Sequence, residues 1–133
     1  MKWILYSLIS IVLATPAYSN IGIIAEHKGS STIERKDDKY TGETGLGLEM
    51  RDRIITGKGS LRMDFVDDTR VDVTEHSRMT IDEFIYNPTT RTGALSMKAT
   101  LGAVRYASGQ IAKNSRQRVN IRTPSATINV RGT

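Results

Sequence analysis

The chain has 133 residues, with 19 Lys and Arg against 14 Asp and Glu, and no cysteine. This length is enough for one domain with a core of its own, and the missing cysteines exclude both disulfides and a lipid-modified lipoprotein start. Charge is laid out unevenly. Residues 20–83 carry 10 Lys and Arg against 14 Asp and Glu, a net of −4, whereas residues 84–133 carry 8 Lys and Arg and no acid, a net of +8. Such asymmetry either marks an anionic partner or cancels when the two halves pack together.

The first 19 residues read as a signal peptide. Lys2 gives a positive start, Trp3 to Ala14 carry no charge, and Ala17 and Ser19 supply the small side chains a signal peptidase needs before its cut. A spanning helix takes about 20 apolar residues, so this run is short for an anchor. The expectation is cleavage after Ser19, a mature domain over residues 20–133 with no stable membrane span, and a periplasmic or secreted location. An N-terminal segment kept as an anchor is the alternative. An exported domain that stabilises itself without disulfides points to a Gram-negative bacterium.

Beyond the signal, apolar and polar residues alternate with period 2, the mark of strands with one buried face. Shorter strand candidates are Ile21–Ala25, Ser31–Arg35, Arg53–Thr56 and Leu95–Ala99. Leu61, Met63 and Phe65 alternate with Arg62 and Asp64, Val71 and Val73 with Asp72, and Met79 and Ile81 with Thr80. Further on come Val104 and Tyr106, Val119 and Ile121, and Ile128 and Val130. Turn signals fall at Asp37-Asp38, Thr41–Gly47, Gly57–Gly59, Asp67-Asp68, Asn87–Gly93, Gly109 and Thr123-Pro124. Only Ile111–Gln117 admits a short helical turn. The pattern predicts an all-β domain, an antiparallel β-sandwich or β-roll of short strands. For the hairpin around Asp67, a three-residue loop over residues 67–69 keeps the apolar faces in phase, pairing Phe65 with Val71 and Met63 with Val73. It also sets Asp64 opposite Asp72, a like-charge pair, and strains Asp68.

Catalytic chemistry finds little footing. With no cysteine, a nucleophile–base pair needs His27 or His76, and neither stands in a motif. Asp37-Asp38 and Asp67-Asp68 lack the alternating oxygen ligands of a calcium loop and read as turn chemistry. Gly42–Gly47 and Gly57–Ser60 are not followed by a helix and read as hairpin turns rather than phosphate loops. No cofactor is implied. Nucleic-acid binding is disfavoured by export and by the few aromatics of the basic half, Phe84, Tyr86 and Tyr106.

The C-terminal run Thr123-Pro124-Ser125-Ala126-Thr127-Ile128-Asn129-Val130-Arg131-Gly132-Thr133 resembles the signature of FecR-type domains, T-P-x-A-x-x-G-V-R-G-T. Leu48 to Gly57 resembles the family's L-x-x-G-D-x-I-x-T-G, matching at Asp52, Thr56 and Gly57. Ser60 to Thr69 resembles S-x-x-x-x-F-x-D-G-S, matching at Phe65 and Asp67. Leu101 to Arg105 corresponds to a further strand. The resemblance spans about residues 46–133. Arg51, Asp68 and Asn129 stand where the pattern has glycine. Asp and Asn tolerate positive φ, but Arg51 suggests a rebuilt turn. Family members usually continue past the position of Thr133, which suggests a fragment with an open last edge.

Read physically, Thr123-Pro124 re-aims the chain, Ala126 packs tightly, and Arg131 folds back on an acid, with Asp52 the best candidate. The resemblance implies a structural role for these motif residues. It also implies either an inner-membrane regulator, which senses a siderophore receptor outside and controls a sigma factor inside, or an exported module at the cell envelope. Only Met1-Lys2 precede the apolar run, which favours the module. The expected partner is an envelope protein or an anionic glycan.

Overall fold

A computed structural model describes residues 20–124 and 127–129, the last three by their backbone alone. The signal-peptide reading of residues 1–19 lies outside the described residues. Ten strands follow in order: β1 (Gly22–Arg35), β2 (Asp38–Thr41), β3 (Gly47–Leu48), β4 (Arg53–Phe65), β5 (Arg70–Val73), β6 (Arg78–Asn87), β7 (Thr92–Leu101), β8 (Val104–Ala107), β9 (Val119–Arg122) and β10 (Thr127–Asn129). A short helix α1 (Gln110–Asn114) and a 3-10 turn (Arg116–Arg118) stand between β8 and β9, over Ile111–Gln117, where the sequence admits helix, and one residue beyond it at each end.

The strands form one sheet, ordered β10-β9-β7-β6-β4-β1-β2, with β3 beside the start of β1, and β5 and then β8 beside the end of β4. The all-β expectation holds, but two of its details do not. The sheet is mixed, because β7 and β9 run parallel. Between them the chain passes through β8, α1 and the 3-10 turn, long enough to carry it back for a parallel return. The strands are also not uniformly short. Gly57–Gly59, expected as a hairpin turn, lies inside the 13-residue β4, and β1 is continuous over 14 residues.

Gly29 and Gly59 explain this continuity. They face each other where β1 and β4 cross, both at positive φ (76° and 143°). A Cβ on Gly29 would lie 1.9 Å from the Lys58 carbonyl oxygen, and one on Gly59 would lie 1.9 Å from that of Lys28. Only glycine lets the backbones approach this closely. Here the paired strands crease from one layer into another. Before the crease β1 lies with β3, β4's end, β5 and β8; after it, with β2, β4's start, β6, β7 and β9. Gly42–Gly47, also expected as a hairpin turn, instead carries the chain from β2 to β3 along the same edge of β1.

The layers close on each other. From the register Ile54↔Met79, Phe65 and Phe84 would lie roughly 50 Å apart in a flat sheet at about 3.3 Å per residue. Their rings instead stack with centroids 5.1 Å apart. One apolar core fills the space, including Ile24, Met63 and Val71 from one layer, Ile33, Ile54, Ile81, Met97 and Ile121 from the other, and Ile111 from α1.

The Asp67 hairpin has the expected three-residue loop, displaced by one position to residues 66–68, so the register slips by two. Met63 pairs with Val71 and Leu61 with Val73. The apolar face stays in phase, and the expected Asp64–Asp72 opposition disappears. Asp64 faces Arg70 and Asp72 faces Arg62, with ion pairs of 2.9 and 2.7 Å. Cross-strand charge selects this register over the other in-phase one. Asp68 takes φ 71°, as its place in the loop requires. The turn expected at Asp37-Asp38 is likewise shifted by one, to Lys36-Asp37 with Lys36 at φ 54°.

Candidate functional site

The two buried motif acids, Asp52 and Asp67, each anchor a separate knot, and the other described motif residues lie outside these knots. The first forms at the entry to β4. Arg51 takes φ 73° and donates its N–H to the Ile81 carbonyl at 2.7 Å, so an arginine here adopts a conformation that glycine reaches without steric cost. This aims Asp52 inward, where it is fully buried. Its Oδ1 accepts from Arg35 Nε at 2.8 Å, and its Oδ2 accepts from Arg35 Nη2 at 2.8 Å and the Glu49 N–H at 2.9 Å. Arg35 also donates to the Gly47 carbonyl, lies 2.8 Å from the Glu49 carboxylate, and stands 5.0 Å over the Tyr40 ring. The hydrogen bond to Asp52 holds the Arg35 pKa above its ordinary value. Arg131, the expected partner of Asp52, lies outside the described residues. Arg35 occupies the carboxylate, and its position at the end of an alternating strand gave no sign of that role.

The second knot ties the β4–β5 loop to α1. Asp67, also fully buried, accepts from the Thr69 N–H at 3.0 Å, the Thr69 hydroxyl at 2.7 Å and the Ile111 N–H at 3.1 Å, while its carbonyl accepts from the Gln110 N–H. It thereby satisfies N–H groups at the start of α1 that no residue of the helix can reach. Gly109 makes room for it: a Cβ there would lie 2.3 Å from the Thr69 nitrogen. Thr56 donates to the Thr74 carbonyl at 2.6 Å and accepts from the Ser77 N–H at 2.9 Å, and the Gly57 carbonyl accepts the His76 N–H. Phe65 stacks on Phe84 in the core. Thr123 and Pro124 follow β9 in the bend towards β10. Ala126, Val130, Arg131, Gly132 and Thr133 lie outside the described residues.

The exposed surface offers three shallow hollows of note. One, of about 290 Å³, lies over β1, β4, β5 and β8. Register places Glu26, Arg62, Asp72 and Arg105 in a row across it, alternating in sign. Hydrogen bonding to Asp72 raises the Arg62 pKa. His27 lines this hollow, with its Nε2 buried and unbonded. On the inner side, burial lifts the Tyr106 phenol above its usual pKa. The second hollow, about 460 Å³, is lined by residues 113–118, and the third, about 370 Å³, adjoins it through Gln117 and Arg118.

Charge separates these regions. Six ion pairs form among the described residues, and every partner lies between Glu26 and Asp72. None joins a cation of the acid-free half to an acid of the first half. The two halves share one core, joined by the Phe65–Phe84 stack and by Asp67 at the start of α1, rather than by any of these six ion pairs.

Among the described residues no three His, Asp or Glu side chains converge as a metal site, and no helix is long and apolar enough to cross a membrane. Fold and site together define an all-β domain whose buried acids bind its own backbone and whose exposed Lys98, Lys113, Arg118 and Arg122 stand outside those six ion pairs. The family model described as FecR protein matches residues 52–133, and the chain belongs to that family. Comparison with curated proteins and with solved structures gave no match.

Proposed function

We propose that this FecR-family chain is an exported, non-enzymatic binding or sensing module of the bacterial cell envelope. The observation that carries this reading is the segregation of charge. The buried carboxylates Asp52 and Asp67 each accept three internal hydrogen bonds, which favours a structural role for both. Among the described residues, Lys98 of β7, Lys113 of α1 and Arg122 of β9 are exposed and form no ion pair with an acid of the first half. A surface left charged in this way favours association with an oppositely charged partner over chemistry on a substrate.

Mass spectrometry of the protein recovered from cells tests the address: a mature N-terminus at Asn20 in the periplasmic or secreted fraction is expected. An intact N-terminus in the membrane fraction overturns it and supports a second reading, favoured by the family match, in which the domain is the sensing part of a sigma-factor regulator. Photo-crosslinking in intact cells tests the binding role. Probes at Lys98 or Lys113 should yield a discrete adduct and a probe at Lys58 none.

A further inference from the structure

We propose that the outer face of β9, continued through the 3-10 turn and α1, is a track for an anionic polysaccharide; the proposal deepens the reading of the chain as an envelope binding module and rests on it. Along β9, Val119 and Ile121 are each 2% exposed and face the core. Alternation therefore turns Asn120 and Arg122 to the outer face, and Arg118, the last residue of the 3-10 turn, is exposed just before them. Arg122 is in register with Lys98 on the parallel strand β7, and both are exposed. At the other end Lys113 stands exposed on α1. No ion pair engages Lys98, Lys113, Arg118 or Arg122 among the described residues.

The shape along this line is open. The hollow over residues 113–118 and the hollow over Ser96, Arg118 and Asn120 adjoin at Gln117 and Arg118, a trough in two parts. Its uncharged lining, Asn114, Ser115, Gln117, Ser96 and Asn120, offers hydroxyl and amide groups suited to sugar hydroxyls. The Asn120 Oδ1 is buried and has no hydrogen-bond partner among the described residues. Glu83 at the rim is the one carboxylate in the trough. No exposed large apolar side chain lines either hollow, which disfavours a lipid surface or an apolar peptide anchor. An elongated trough with spaced cations and amide donors fits a linear chain of acidic sugars.

The test uses the full protein and fluorescein-labelled dextran sulfate, with neutral dextran and anionic phospholipid vesicles as the other arms. Binding to dextran sulfate alone is expected, weakened as NaCl rises from about 0.1 to about 1 M and the screening length falls from about 10 to about 3 Å. Replacing Lys98, Arg118 and Arg122 together by Ser should weaken binding about tenfold. Replacing Lys28, Lys39 and Lys58 by Ser removes the same charge from the other half and should leave affinity within about twofold. Equal losses in the two triple variants, no binding, or preference for vesicles each overturn the proposal. A crosslinked envelope adduct from the Lys98 or Lys113 probe, found alongside any of those results, leaves the module reading standing and removes only the polysaccharide.

Discussion

In β1, β4 and β5 every arginine has a carboxylate within reach: Arg35 with Asp52 and Glu49, Arg53 with Glu34, Arg62 with Asp72 and Glu26, and Arg70 with Asp64. In β7, α1 and β9 the same fold is built with no acid at all, and the apolar faces of Leu95, Met97, Val119 and Ile121 set the pairing. The contrast separates two uses of charge. In the first region it selects register and fixes a buried knot, while in the second it stays in water. Net charge alone does not distinguish these uses; the position of each partner does.

Five variants sharpen or break this comparison. Asp52→Ala should have the largest effect, destabilising by about 3 kcal/mol in urea denaturation, because two Arg35 N–H groups and the Glu49 N–H lose their buried acceptor and Arg35 keeps only Glu49 and the Gly47 carbonyl. A smaller loss in Arg35→Met, Asp52→Leu than in Asp52→Ala alone would identify the loss of Arg35's acceptor as the cause. Asp67→Ala should cost about 2 kcal/mol, read as a lower thermal midpoint, since two backbone N–H groups and the Thr69 hydroxyl lose one acceptor. Arg51→Gly should stabilise by about 0.5 kcal/mol, the relief of a left-handed side chain less the added freedom of the unfolded glycine. Serine at Lys98, Arg118 and Arg122 should move stability least, by under about 0.5 kcal/mol per site. A drop comparable to that of Asp67→Ala would mean that the second region's charges are structural too, and the comparison fails.

Much of the strand pattern was legible because period 2 is a local property: Leu61-Met63-Phe65 and Val119-Ile121 face inward as their spacing requires. Three things were not local. Gly57-Lys58-Gly59 has the composition of a turn, and only the close approach of Gly29 from a distant strand makes it a crease. Both three-residue loops at Asp67 keep the hairpin in phase, and only the distribution of Asp64, Arg70, Arg62 and Asp72 across it tells them apart. The parallel return of β9 depends on α1 packing Ile111 into the core. The site followed the same rule. Asp52 and Asp67 stand out in the motifs, but Arg35 and the Ile111 N–H, 17 and 44 residues away in sequence, are known only from the fold.

The crease at Gly29 and Gly59 also governs how the molecule comes apart. Because β1 and β4 pass through it together, each layer owns half of each strand, and each half is held in register by the other. Neither layer is an independent unit of unfolding: melting one leaves the inner face of the other exposed and its two central strands half-paired. The domain therefore opens in a single cooperative step, and the differently charged surfaces rise and fall in stability as one.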